Sequence, residues 1–539
     1  MSFIKTPEHI VIESAVQSGK NTLVPSGPGT GKTTMLAKLI VPILTSIHAG
    51  KQGAAMALNV SNANDLKTAI NHPNVECATV CATLWRVYKA SNPAAKVVVA
   101  KKAGKDFRGI YRKAQMDKMA LLVDEHFQKE LGSEVSFETA ISLVSHAKKA
   151  AFGIVGHPDI DDRDAWQVLA KRHILIETPE IPDADAEGVI EGHLDEQITY
   201  AIKLLKLSNA DYLRVNFDDQ LYLPLLRNVK LPSLAFIIYD EFQDVKPIEV
   251  EYLRRYNALG TQIVGVGDSR QYAYEFAGAL FNAFEFVASE FNMEACPMRI
   301  SWRCSHAAAN LANGVFPDSV IPAPNAKVGM ESVMSYADLF DKVGDLDCHH
   351  GLLSRTHKNL LPAALKLLAA KKPFWYKGIR DLVGKMERML WHHAGKKEIT
   401  NLTVIRESLT EYQNQCEEKY LTPAGNLPKW VTAQSETVDA LNLLLANCEG
   451  AGEGIECVKS YLKTLSESDR KNLDGPALCT IHVSKGLEWS NVYVIGPCQS
   501  TLAKTDEQLY AEKCLEFVAY SRSSENVTIV TLDDGKKAA

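Results

Sequence analysis

The stretch Ser26–Thr34, SGPGTGKTT, constrains this chain more than any other. It carries Gly27, Gly29 and Gly31 at alternate positions and ends in Lys32-Thr33-Thr34. Thr22-Leu23-Val24 before it reads as a short buried strand, and KTTMLAKLIVPIL after it reads as a helix. Glycine reaches backbone conformations closed to other residues, so the turn can fold tightly and face its N–H groups toward one point at the helix N-terminus. Such a cradle holds phosphate. Lys32 then reaches the β- and γ-phosphates of a bound nucleotide, and Thr33 holds a magnesium ion. The strict phosphate-loop pattern asks for glycine where Ser26 stands, so a literal match fails although the chemistry survives.

A second element belongs with the first. LAFIIYDEFQD is an apolar strand, Leu234 to Tyr239, that ends abruptly in Asp240, Glu241 and Asp244. Carboxylates at the carboxyl end of a strand stand where open α/β sheets bind their ligands. Asp240 is expected to hold Mg²⁺, directly or through water, and Glu241 to polarise the attacking water of a hydrolysis. Lys32 and Asp240 are 208 positions apart (240 − 32), whereas one strand–helix–strand crossover takes about 30 residues. A further domain is therefore expected between them.

With 539 residues, 46% of them hydrophobic, the chain is long enough for roughly three to five domains. Strand–turn–helix patterns cluster at 20–75 and 230–290, and again at about 295–365 and 475–535, where HGLLSRTH and NVYVIG read as buried strands. Residues 85–210 and 370–475 are mostly helical in pattern. The expected fold is α/β, with two nucleotide-binding-type domains (1–84 with 208–290, and 291–370 with 474–539), each interrupted by a helical insertion (85–207 and 371–473). A net charge of −6 excludes a uniformly basic protein but leaves room for a local basic groove. Eleven cysteines lack paired CxxC spacing and read as reduced thiols, with Cys348-His349-His350 the only compact Cys/His cluster. MSFIKTPEHI is not a signal peptide and no apolar run is long enough to cross a bilayer. A soluble, cytoplasmic protein without a membrane partner is the expectation.

SGPGTGKTT, YDEFQD and GDSRQYAYEFAGA (Gly267 to Ala279), followed by MRISWRCS, TIHVSKGLEW and EFVAYSRS, occur in the order found in superfamily 1 DNA helicases of the UvrD/Rep/PcrA type, and the chain resembles that family over nearly its whole length. ALNVSNANDL and NFDDQLYLPLL are closer to the branch containing the eukaryotic F-box DNA helicase. The resemblance implies two RecA-like domains and an ATP- and Mg²⁺-dependent motor moving 3′ to 5′ on single-stranded DNA and unwinding tailed duplex, with replication or repair proteins as partners. It implies that Gly27, Gly29, Thr30, Gly31, Lys32, Thr33 and Thr34 surround the nucleotide, with His9 at the adenine position and Glu488 at the ribose. It further implies that Gln271 senses the γ-phosphate and that Arg303 and Arg522 act as arginine fingers across an interdomain cleft. A planar guanidinium suits the charge of a transferring phosphoryl group. Two other classes stay open: a strand translocase that displaces proteins without useful unwinding, and a nucleotide-gated binding switch.

The same resemblance places Asn59, Thr480, His482 and Lys485 at nucleic-acid or coupling positions, where a structural role competes with a contact. Tyr272, Tyr274 and Phe276 surround the family's aromatic stacking platform; Phe276 is the first choice, and such a ring also serves as core. KKAGKDFRGIYRKAQMDK (101–118) has seven basic residues against two acidic ones and reads either as a solvated helix face or as a nucleic-acid contact. Four positions depart from the family pattern. His9 replaces a glutamine, Ala82-Thr83 replaces His-Ser, Ala277 replaces an arginine, and Ile379 replaces a glycine. None removes a hydrolytic residue. They touch nucleotide selectivity, strand grip and the hinge of the second insertion.

Overall fold

The structure is a computed structural model. It describes residues 5–98, 101–105, 111–115, 117–127, 137–173, 186–272, 278–395, 401–420, 429–449, 454–469, 474–499 and 505–532. The chain divides into two compact units. The first comprises Met1–Ser26, Gly31–Ser269 and Tyr274–Met298; the second comprises Gly27–Thr30, Arg270–Ala273 and Arg299–Ala539.

In the first unit β1 (Thr22–Pro25), β2 (Gly53–Ala57), β3 (Val75–Thr79), β4 (Phe236–Asp240), β5 (Gln262–Gly267) and β6 (Glu294–Ala295) form one sheet in the order β6-β1-β5-β4-β2-β3. Every pair in it is parallel. Parallel strands need crossover connections and cover on both faces, so they read as continuous apolar runs. GAAMA, FIIYD and QIVGVG are accordingly buried at every position. One core gathers Ile12, Leu36, Leu44, Ile238 and Val264, and the other gathers Leu84, Tyr88, Tyr239, Phe242 and Leu253.

The helix expected after the glycine-rich turn is not uniform. Lys32–Met35 is α-helical, Leu36–Ile40 is a π-helical turn, and Val41–Ile47 is α-helical again. Pro42 explains the change, because it lacks an N–H and its ring crowds the carbonyl four residues earlier, which a widened turn relieves.

Between β3 and β4 the chain forms helices Lys118–His126, Glu138–Lys149, Arg163–His173 and Ala186–Ala210, then returns through Asp219–Leu226. Their junction is ionic. Lys118 Nζ donates to Asp219 Oδ2 at 2.7 Å and to the Ser208 carbonyl at 2.8 Å. Lys148 Nζ donates to Asp219 Oδ1 at 2.6 Å and to the Ser208 hydroxyl at 2.8 Å. All three charged side chains are buried. Burial pulls Lys118 down to about 8. Burial works to raise the Asp219 carboxyl, but the two lysine charges outweigh it and hold it below its ordinary value. The basic run is not a helix face. Lys101–Lys105 and Tyr111–Gln115 pair antiparallel in a two-stranded sheet of their own.

The second unit repeats the theme. β7 (Glu331–Ser335), β8 (His350–Ser354), β9 (Trp375–Tyr376), β10 (Ala477–Thr480), β11 (Trp489–Ile495) and β12 (Ser523–Thr531) form an all-parallel sheet in the order β7-β12-β11-β8-β10-β9. β8 and β11 are the runs HGLLSRTH and NVYVIG. Helices Ile379–Gly395, Leu402–Tyr420, Lys429–Glu449 and Gly454–Glu467 lie between β9 and β10. β9 itself falls beyond residue 370, so the sheet takes in the start of the segment expected to be insertion. The two parallel sheets give the α/β, RecA-like class that the sequence implied. Among the described residues no helix is long and apolar enough to cross a membrane.

The ionic junction predicts an asymmetry between two substitutions. Asp219→Asn leaves two buried ammonium groups without a carboxylate and should destabilise the first unit by roughly 3–5 kcal/mol. Asp161→Asn breaks the pair Lys206–Asp161, whose side chains are 52% and 63% exposed, and should cost less than about 1 kcal/mol. Urea unfolding of the two variants measures the difference.

Candidate nucleotide site

The carboxyl ends of β1, β2, β4 and β5 carry most of the first unit's predicted groups. Ser26 follows β1, fully buried, with its N–H on the Gly267 carbonyl at 2.6 Å and its hydroxyl on the Val24 carbonyl at 3.0 Å. A small hydroxyl that bonds its own backbone fits where the pattern asks for glycine. Gly31 adopts φ +83°, the left-handed region, and caps the helix that starts at Lys32. Thr33 and Thr34, in that helix's first turn, are both exposed.

Asp240 ends β4, and its Oδ1 accepts the Glu241 N–H at 3.0 Å. Glu241 is itself left-handed at φ +56°, a conformation costing a non-glycine residue roughly 1–2 kcal/mol. That turn brings its Oε1 to 3.7 Å from Lys32 Nζ, with both side chains less than one-fifth exposed. Gln243 donates to Glu241 Oε2 at 2.6 Å and to Asp244 Oδ2 at 3.2 Å, while its Oε1 accepts the Asp268 N–H at 2.9 Å. One amide thus ties the end of β4 to the end of β5. Gly267 is required there, because an added Cβ would lie 2.2 Å from Gln243 Oε1. Gln243 and Asp268 lie within the motifs YDEFQD and GDSRQYAYEFAGA, but neither has a role assigned from the motif alone. The signal was the spacing of Gln243, two residues after Glu241.

His9 is buried and caps its own helix, Pro7–Gln17. Its Nδ1 accepts the Thr6 N–H at 3.0 Å, so the ring proton of the neutral form sits on Nε2. Burial lowers its pKa, the nearby Lys5 charge adding to the effect and Glu8 opposing it, and the ring is neutral at neutral pH. Asn59 caps Val60–Ile70 by accepting the Asn62 N–H at 2.9 Å.

In the second unit, Ser301 Oγ donates to the Pro28 carbonyl at 2.7 Å and the Trp302 N–H to the Gly29 carbonyl at 2.8 Å. Thr30 closes its turn on the Gly27 carbonyl at 3.0 Å. Arg303 pairs with Glu488, so two residues given separate roles meet each other. Arg522 is 1% exposed. Its guanidinium donates to the carbonyls of Val518 at 3.0 Å and Leu487 at 3.3 Å and to the Ser521 hydroxyl at 3.0 Å. Gln271 is buried, and Tyr272 OH donates to Glu507 at 2.9 Å. Tyr274, Phe276 and Ala277 lie outside the described residues.

Thr480 ends β10 and is buried. His482, in the following turn, is pulled down to about 4, by burial first and then by the Arg355 charge. Arg355, directly after β8, was not foreseen. It makes a two-armed pair with Glu512 at 2.8 and 3.1 Å. Arg355 stands at the end of HGLLS, a strand visible in the sequence; its partner is 157 positions away and carries no local mark.

A phosphate-cradling turn, a lysine and strand-end carboxylates on a parallel sheet define a P-loop nucleotide-binding protein. The pattern of the UvrD/REP helicase N-terminal domain matches residues 11–292, more than half of the chain, and the chain belongs to that family. F-box DNA helicase protein 1 of Schizosaccharomyces pombe is 24% identical over 347 residues, 61% of this chain and 36% of that protein. ATP-dependent DNA helicase Rep of Buchnera aphidicola subsp. Baizongia pistaciae is 27% identical over 125 residues, 22% of this chain and 18% of that protein. The matched regions thus span about a third or less of these curated relatives. Among solved structures, an Arterivirus nonstructural protein 10 helicase overlaps 97% of this chain and 63% of its own at 10% identity and a TM-score of 0.31.

The histidine cap makes a clean test of base selection. Glutamine at this helix position also completes a capping box, so His9→Gln should leave the helix intact. A glutamine amide matches adenine N6–H and N7 together, whereas imidazole satisfies one of them at a time. Gaining the second arm is worth roughly 1–3 kcal/mol. If residue 9 faces the base, as the resemblance implies, and no other residue reads it, the ratio of kcat/KM for ATP to that for GTP should rise about 5- to 150-fold in His9→Gln.

Proposed function

We propose that this chain is an ATP-dependent DNA helicase or translocase that moves 3′ to 5′ on single-stranded DNA and opens tailed duplex. The observation that carries the reading is the cluster at the first unit's sheet edge: Lys32 within 3.7 Å of Glu241 and Glu241 held by Gln243. Membership of the UvrD/REP family and the likeness to two proteins named as DNA helicases support the substrate, and the resemblance of the motifs to the UvrD/Rep/PcrA type supports the direction.

The residues fit a nucleotide with its magnesium ion. The left-handed Gly31 opens the helix N-terminus to an anion, and Thr33 and Asp240 offer hard oxygen donors of the kind Mg²⁺ takes. Bound there, the metal would neutralise charge on the β- and γ-phosphates. Lys32 neutralises the same oxygens. Glu241 polarises the attacking water, and Gln243 keeps its carboxylate aimed. To Gln271, Arg303 and Arg522 we assign γ-phosphate sensing and transition-state neutralisation, and to Glu488 the ribose contact. Asn59, Tyr274, Phe276, Thr480 and His482 are the proposed strand contacts. Replication or repair proteins are the proposed partners.

ATP turnover with saturating single-stranded DNA tests the assignment. Lys32→Ala should abolish turnover and weaken nucleotide binding, whereas Glu241→Gln should bind ATP normally and hardly turn over. Gln243→Leu leaves the base in place but unaimed, which should slow turnover roughly 10²-fold with little change in nucleotide affinity. Near-normal turnover in Glu241→Gln would remove the base from this residue. Unwinding confined to substrates with a 5′ tail would reverse the direction.

A further inference from the structure

Gln271 ends a single 3₁₀ turn, Ser269–Gln271, and both of its neighbours are anchored on one helix. Arg270–Ala273 belongs to the second unit, as does the helix Asp506–Tyr520. The Arg270 guanidinium donates to the Ser319 carbonyl at 3.1 Å and lies 5.4 Å from the centre of the Phe517 ring, within reach of a cation–π attraction. Phe517 is in turn met edge-on by Phe316, with ring centres 5.5 Å apart. On the other side, the Tyr272 hydroxyl donates to Glu507 Oε1 at 2.9 Å. Glu507 stands in the first turn of the same helix that carries Phe517. Tyr272 is only 3% exposed, so its ring packs in the core and has no face open to a stacking base.

We propose that Tyr272 is a positioning residue for Gln271, held in place by Glu507. A single 3₁₀ turn has few hydrogen bonds of its own and poor geometry in those it makes, so side-chain anchors decide how it is oriented. The phenol–carboxylate bond is charge-assisted and stronger than a bond between neutral groups. Gln271 is itself buried, and a donor fixed before the nucleotide arrives needs no reorganisation during the reaction. The proposal rests on the assignment of γ-phosphate sensing to Gln271 above and adds the residues that aim it.

The test measures turnover of labelled ATP by the full chain with saturating single-stranded DNA, so that slow variants stay measurable, together with thermal unfolding. Tyr272→Phe keeps the ring and removes the bond, and Glu507→Leu removes the same bond from the half-buried side. Each should lower kcat about tenfold, with KM for ATP changing less than about twofold and the unfolding midpoint nearly unchanged. Glu507→Gln, whose amide oxygen still accepts the phenol proton, should recover most of the loss. Asp506→Asn removes a first-turn charge that lies outside the contact and should match the wild type. In a Gln271→Ala background, Tyr272→Phe should have no further effect, because residues that act through one group are not additive. Unchanged kcat in Tyr272→Phe would overturn the proposal, and so would an equal fold-loss in both backgrounds, which is what a merely structural tyrosine would give. Wild-type turnover in Gln271→Ala would instead remove the sensing assignment, and the positioning role with it. A slow Gln271→Ala beside an unaffected Tyr272→Phe would remove the positioning role alone.

Discussion

Because β2, β4 and β5 are buried along their whole length, groups that act on a ligand must stand where those strands end. A parallel sheet aligns all those ends on one edge, so residues far apart in the chain meet there without long loops. Lys32 reaches Glu241 in this way, although more than two hundred residues separate them. The Gln243 amide then fixes the spacing of the β4 and β5 ends by bonding Glu241 on one side and the Asp268 N–H on the other. Gly267 permits that bond by carrying no side chain. The site depends on the packing of the sheet more than on any one loop.

Charge pairing inside each unit shapes the chemistry. Lys32 lies near Glu241, Arg303 pairs with Glu488, and Arg355 pairs with Glu512. Each of these cations already has an anion of its own, so a phosphate would have to compete with a carboxylate for it. The Lys118–Asp219–Lys148 cluster is different in kind. Its three groups are fully buried, and both lysines donate to Asp219 and to Ser208, which suits a joint that holds helices together.

What could be read from the sequence follows from how local each signal is. Strand β1, the turn after it and the carboxylates after β4 are contiguous patterns, so Lys32, Asp240 and Glu241 were legible, as were β8 and β11. The π-helical turn at Leu36–Ile40 was hidden, although Pro42 marked its cause. The strands Lys101–Lys105 and Tyr111–Gln115 lie in a basic run that reads either as a solvated helix face or as a nucleic-acid contact, because a run of lysines has no period that favours helix or strand. The pairs Arg303–Glu488 and Arg355–Glu512 were invisible, since each joins segments more than a hundred residues apart. His9 was legible as a departure from the family pattern, but its role as a helix cap required the Thr6 contact.

A strand-driven motor requires that nucleotide hydrolysis answer to a DNA strand. Steady-state ATP hydrolysis by the wild-type chain, titrated separately with single-stranded DNA, blunt duplex DNA and single-stranded RNA, measures this directly. The expected result is saturable stimulation that is strongest with single-stranded DNA. A rate that is measurable yet indifferent to all three nucleic acids would contradict the motor assignment.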